Sequence, residues 1–579
     1  MEWNKLYALL DGVFDTDACL REVEAIWEND RWFSRDKFNL TAGYVAGEME
    51  KADLAVEKLP LKADGTTKYH DWKMPIGWDA ERATLSYADG EIITEYKTLP
   101  CSLVMYSPST PGAIEAEVIV PDRDDPAACR GKILFVSDMV SKWTAFADEV
   151  GAVGVISDIT RLFPGVRNSR EELYDECMWM TMSAAAQCFG MHLTPRQADE
   201  LRRRMALGPV RLKADIKTRA YPGVSYTIAG DLVGTKPELP AVLAYGHLYE
   251  PGANDNASGT GAILYLAKLF AKAVRDGILP RPERTIRFMM GDECWGSMGY
   301  LACHPEKQHL CGIVGDMIGT ETGDRAEMAL CYDPVSNWSF ADAALYALAD
   351  IARKTSGDFA SNDQDIGAGT DNIIGDPCFG MPTVALVASP ALSYHSSMDR
   401  PDRIEPETLR RNALIMGSFL WGIANADGET CAFLEETIRQ QTEYRAQNAH
   451  PRKVALLRQA EARALHSLNR LGGNYPAPDE RVEPMPDYAQ ETGCRIPKRL
   501  VQGALQISGV YNGRKIRTAW NGDSTVVTCW ADGRRNLWQI AYLSAMEKSK
   551  CTDTEIREEF EFVSDLFAFL AEKGYVCWE

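Results

Sequence analysis

The sequence predicts an α/β protein: a mixed, mostly parallel sheet flanked by helices, carrying a β-rich insert and a small C-terminal domain. Two observations predict the sheet. Apolar runs of buried-strand length recur at 241–245, 285–290, 313–314 and 383–387, too short for helices and too uniformly apolar for strands with one wet face. Between the first two, Ile263, Leu266, Ala267, Phe270 and Val274 recur at the spacing of one helix face, as a crossover between parallel strands requires. A third observation predicts the appended parts: at about 100–221 and 497–579 the pattern breaks into short strands and small helices. At 579 residues and 45% hydrophobic content the chain can fill several cores.

In chain order, 17–27 and 40–58 read as helical and 64–67 as a polar turn, so 1–99 is taken as the N-terminal part of the central domain. In 100–222 the strands 116–120, 132–136 and 153–157 surround a helix at 144–150 and form the insert. The central domain occupies 223–428. An Arg- and Glu-rich amphipathic stretch follows at 434–471, interrupted near Pro451, then a Pro-rich connection at 475–486, together a helical linker over 429–486. The last segment, 487–579, reads as a strand at 525–530, helices at 537–546 and 554–573, and a terminal strand after Gly574.

Chemistry concentrates where the central strands end. YGHLYEPGANDNASG places His247 and Asp255 in the connection after the first strand, where small Gly252, Ala253 and Gly259 let the backbone fold tightly. GDECWGS places Glu293 after the second strand and GIVGDMIG places Asp316 after the third, while YHSSMD places His395 soon after the fourth. In an open α/β sheet these positions converge on the crevice at the carboxyl ends of the strands. Two histidines, two aspartates and a glutamate gathered there predict a metal site with a base beside it.

This ordered set resembles the zinc aminopeptidase family (peptidase family twenty-eight of clan MH), over about 225–425. GHLYEPGANDNASG, DECWGS, DMIG, GTDNIIGDPCFGMPTVAL and YHSSMD match its motifs in order. The resemblance implies that His247 and Asp316 bind one zinc, His395 a second, that Asp255 bridges them, and that Glu293 is the general base. Asp371 in GTDN would support the site; Tyr394, adjacent to His395, is either a donor to an oxyanion or a packed aromatic. It implies a peptide or aminoacyl substrate and one or two zinc ions, with cobalt or manganese as substitutes. YSPSTPGAIEAEVI, GKILFVSD and GAVGVISD resemble its protease-associated insert, and the last segment a winged helix, as in an aminopeptidase-like branch of the family.

Two departures bear on the site. The family's Asp two residues after the first histidine is replaced by Tyr249, followed by Glu250, either of which could take over orientation or substrate binding. The ligand expected after the base is replaced by Cys294, which is either a thiolate ligand or a packed thiol. A register shifted by one would make Asp292 the base and Glu293 the ligand. A single-metal, cyclase-like enzyme and an inactive binding module remain as alternatives.

With 62 Lys and Arg against 83 Asp and Glu, the formal charge of -21 disfavours nucleic acid and anionic membrane as partners. The last segment holds twelve basic and eleven acidic residues from Cys494 on, so protein contact is expected of it rather than DNA, and a homo-oligomer is possible. No run reaches membrane-span length and MEWNKLYALLDGVF lacks a signal-peptide pattern, so a cytoplasmic location is expected, with the fifteen cysteines mostly reduced.

Overall fold

The computed structural model describes residues 2–365, 369–518 and 522–579. Its main sheet has eight strands: β1 (Ala55–Ala63), β2 (Gly223–Leu232), β3 (Ala241–Leu248), β4 (Ile286–Asp292), β5 (His309–Asp316), β6 (Met328–Tyr332), β7 (Ser361–Asp365) and β8 (Thr383–Ala388). They lie in the order β1-β2-β4-β3-β5-β8-β6-β7. β4, β3, β5 and β8 run parallel, and antiparallel pairing flanks them on both sides. The four apolar runs of the sequence are these four neighbours. All eight residues of β3 and of β5 are buried, because helices Ala257–Arg275 and Pro406–Ala424 cover one face and Trp295–Cys303 the other.

Near the N-terminus the expected helix over 40–58 stops early. Helix Arg35–Lys51 ends at a turn in which Asp53 has φ +63°, and β1 begins at Ala55. Pro60 could not continue a helix, but it is tolerated in a strand that pairs only with β2 at the sheet margin.

A second sheet of seven strands has the order Ile92–Glu95, Gly77–Tyr87, Arg211–Tyr221, Ile114–Ile119, Ile133–Val136, Gly154–Ser157, Phe189–His192. Two of its strands lie ahead of residue 100. Gly77–Tyr87 and Arg211–Tyr221 pair antiparallel, so the chain enters and leaves this sheet side by side.

Helices Gly428–Ala446 and Pro451–Ser467 lead to the C-terminal module. There the expected strand at 525–530 is instead part of helix Gly522–Cys529. Its β-branched Thr525, Val526, Val527 and Thr528 favour a strand locally, but burial of Ser524, Thr525, Val527 and Thr528 follows helical spacing, so packing overrides propensity. Helices Leu537–Glu547 and Asp553–Glu572 and strand Val576–Trp578 complete the module. It is docked through the buried Arg499–Asp376 pair at 2.9 Å and by the Trp72 indole donating to the Ala504 carbonyl at 2.9 Å. All fifteen cysteines are free. Among the described residues no helix is long and apolar enough to cross a membrane.

Candidate metal centre

The carboxyl ends of the parallel strands bring His247, Asp255, Asp316 and His395 together. His247 Nε2 lies 3.5 Å from Asp316 Oδ1 and 3.7 Å from Asp255 Oδ1, while Asp255 Oδ2 lies 3.3 Å from His395 Nε2. The first two separations are too long for good hydrogen bonds. They suit two ligands of one ion, since bonds of about 2.0–2.1 Å in tetrahedral directions put donor atoms roughly 3.3–3.4 Å apart. Asp316 Oδ1 is buried without a hydrogen-bond partner, which also fits a cation there. Two groups of ligand atoms result, His247 with Asp255 and Asp316, and Glu250 with Asp255 and His395. Asp255 belongs to both and turns one oxygen to each. Zinc fits this nitrogen and oxygen donor set.

Local structure explains the convergence. Asn256 caps helix Ala257–Arg275 by accepting from Gly259 N at 3.1 Å, and its side chain also accepts from Met317 N and donates to Gly315 O. One amide thereby ties the loop of Asp255 to the end of β5. A Cβ on Gly259 would lie 2.1 Å from Gly315 O, so only glycine permits this approach. Asp399 accepts from Asn254 N at 2.6 Å and Asp255 N at 2.9 Å, joining the His395 loop to the same turn. Tyr249, Cys294, Met317 and His395 have φ of +76°, +58°, +52° and +56°, so each loop around the centre holds a non-glycine residue in the left-handed region, a strain that collects at functional sites.

The two residues of DE have different surroundings. Asp292 is buried in an ion pair with Arg35, 2.9 Å from Nη2, whereas Glu293 lines the cavity of about 470 Å³ that also contains His247, Asp255, Asp316 and His395. Cys294 is not among the ligand groups. It packs with Leu243, Tyr245, Met289 and Met298, its N–H donates to Asp371 at 2.7 Å, and burial pushes its thiol well above the ordinary range. Asp371 is fully buried behind Cys294, away from the cavity lining. Tyr249 turns its ring into the N-terminal helices, under Arg35 at 4.0 Å and against Phe38 at 5.1 Å. Tyr394 lines the cavity with its ring 3.7 Å from that of His395.

Sequence reasoning missed several supports. Glu250, expected to orient a ligand or bind substrate, groups with Asp255 and His395. Asp30, at the end of helix Thr16–Asp30, accepts from Tyr249 N at 2.9 Å and from Thr41 at 2.6 Å, and feels the charge of His247. It supplies a carboxylate near the first histidine from a distant part of the chain, where no local motif could reveal it. Asp399 was within reach, four residues after His395 in a string already singled out.

Burial dominates the proton affinities. It raises Glu293 to about 7, assisted by Asp316 and Asp255 and opposed by His247. It raises Glu250 well above the carboxylate range. Burial would also raise Asp255, but its bond to His395 and the charges of His395 and His247 hold it down. Asp30 and Asp399 rise with burial to about 7 and about 8. Such folded carboxyls keep protons that the unfolded chain has released above about pH 4, so stability falls as pH rises through their folded values. Buried His192 and His309, pushed down to about 4 and about 3, act in the opposite sense but only up to about pH 7, near the unfolded value. Between about pH 7 and 9 the metal-depleted protein is therefore expected to lose melting temperature, and added zinc to recover it by linkage. Calorimetry checks this, and a metal-free melting temperature that rises over that interval contradicts it.

Residues 228–420 match the model of peptidase family M28. No curated protein matches the chain. Among solved structures, the aminopeptidase from Aneurinibacillus sp. strain AM-1 is similar over 72% of this chain and 95% of its own, at 17% identity and a TM-score of 0.46. A zinc aminopeptidase from Bacillus subtilis is similar over 70% of this chain and 94% of its own, at 18% identity and a TM-score of 0.49. A peptidase M28 precursor from Shewanella amazonensis SB2B is similar over 71% and 96%, at 15% identity and a TM-score of 0.49.

Proposed function

We propose, from the match of residues 228–420 to peptidase family M28, that the chain is a metal-dependent aminopeptidase. One observation carries the reading. Asp255 faces His247 with one oxygen and His395 with the other, at 3.7 and 3.3 Å, the arrangement of a carboxylate shared by two ions. His247, Asp255 and Asp316 would hold one ion, and Glu250, Asp255 and His395 the second. Bound there, they supply Lewis acidity, polarising the scissile carbonyl and acidifying water.

The chain's own residues do the rest. Glu293, which lines the cavity beside both groups, takes the proton of the attacking water and returns it to the leaving amine. Glu250 meets the free α-amino end of the substrate at the second position. The Trp179 and Trp295 rings wall the cavity, excluding water and favouring small substrates over an extended internal chain segment. Tyr394 remains a phenol, because burial raises it and the surrounding carboxylates raise it further, so it keeps a proton to donate.

The test is metal analysis of the purified protein followed by a panel of aminoacyl amides. Activity should vanish on exhaustive chelation, return in part with zinc, cobalt or manganese, and be absent with N-acetylated amides. Full turnover with metal shown absent would overturn the reading. A glutaminyl peptide that loses ammonia without chain cleavage would replace it with the cyclase.

A further inference from the structure

We propose that the insert is part of the metal centre, with Arg167 and Trp179 as positioning residues that fix His395. The inference rests on the functional reading above and adds residues from outside the matched segment.

His247 and Asp316 are the end residues, or nearly so, of adjacent strands, and the sheet ladder holds them. His395 has no such support. It stands in an irregular loop after β8, and its backbone takes φ +56°, which a non-glycine residue does not adopt without restraint. The restraint comes from the insert. Trp179 N–H donates to His395 O at 3.0 Å, Ser397 N–H to Cys177 O at 2.8 Å, and Cys177 N–H to Ser397 Oγ at 2.9 Å, so 177–179 and 395–397 form a short ladder. The Trp179 ring lies 4.0 Å from the His395 ring, inclined by 34°, and Tyr394 lies against the same imidazole at 3.7 Å.

Arg167 holds the preceding turn. Its guanidinium is fully buried. It donates from Nε to Leu392 O at 2.9 Å, from Nη2 to both Leu392 O and Tyr394 O, the latter at 2.8 Å, and from Nη1 to Arg161 O at 3.0 Å. Among the described residues no carboxylate pairs with it. Its other neighbours are the Met178 sulfur at 3.4 Å and the Phe163 ring at 5.3 Å; burying a cation without an anion is costly, and burial lowers its proton affinity to about 10. Only a planar, forked donor can gather these carbonyls at once, which gives the arginine a geometric purpose where its charge has no paired carboxylate. Of the loops that carry ligands, the clamp touches the one that bears His395, so its loss should weaken the second ion and spare the first.

The experiment is zinc titration against a competing chelator, on the full chain, for wild type, Trp179→Ala, Trp179→Phe, Arg167→Met and Arg167→Lys, with circular dichroism to verify folding. Wild type should take up two ions. Trp179→Ala and Arg167→Met should bind the first as wild type does and the second about 10–100-fold more weakly, the usual effect of losing an outer support. Trp179→Phe should recover most of the second affinity, and Arg167→Lys, lacking the fork, should not. Folded variants that bind both ions as tightly as wild type, or that lose both equally, would overturn the proposal. Wild type binding fewer than two ions would overturn the two-ion reading and the clamp with it, so the two failures are distinguished.

Discussion

Glu293→Gln is expected to lower kcat by about 10²–10⁴ while leaving metal content unchanged. Glutamine keeps the shape of the side chain and its place in the cavity but cannot accept the proton of the attacking water. KM should change little, because the lost interaction belongs to the transition state. The neighbouring Asp292→Asn separates the two residues of DE. It would leave the buried Arg35 guanidinium, 2.9 Å away, without its anion, and breaking a buried pair from one side costs about 3–5 kcal/mol. The expected signature of Asp292→Asn is thus a lower melting temperature rather than a slow chemical step in the protein that remains folded. Steady-state kinetics with elemental analysis distinguishes the outcomes: near-normal kcat in Glu293→Gln would place the base elsewhere, and loss of metal from it would make Glu293 a ligand.

The parallel strands were legible because each is an apolar run bounded by polar loops, a pattern that burial on both faces imposes, and four such runs are adjacent in the sheet. The strand-end polars His247, Glu293, Asp316 and His395 were legible for the same reason, since topology sends carboxyl ends to one crevice. What escaped is what depends on distant packing. Tyr249 could not be told from a replacement of the missing aspartate until Asp30 and Arg35, from helices near the N-terminus, were seen to occupy its N–H and its ring. Cys294 was the candidate donor at the second position and Glu250 was expected only to orient a ligand or bind substrate, because no periodicity exists in a strained loop to say which side chain faces the cavity, where Glu250 lies with Asp255 and His395. The misread strand at 525–530 failed for a related reason: a β-branched run carries a local preference that tertiary burial reversed.

Asp255→Ala is expected to abolish activity and remove both ions at metal concentrations that saturate the wild type, and a graded series gives that result its meaning. Asp255 is the one side chain common to the two ligand groups, so its removal leaves His247 and Asp316 on one side and Glu250 and His395 on the other, each one donor short of the three protein ligands that catalytic zinc sites ordinarily use. Glu250→Gln should cost about one ion per chain, because an amide oxygen is a weaker donor than a carboxylate and the other group is untouched. Cys294→Ser should cost none: its sulfur lies in an apolar cluster, its proton is held tightly by burial, and serine at that place loses a packed thiol without removing a donor. Elemental analysis at limiting zinc should therefore read two ions lost, one lost and none lost for the three variants. Loss of an ion from Cys294→Ser with Glu250→Gln unaffected would reverse the assignment of the second position, and retention of both ions by Asp255→Ala would show that the two groups do not share a ligand.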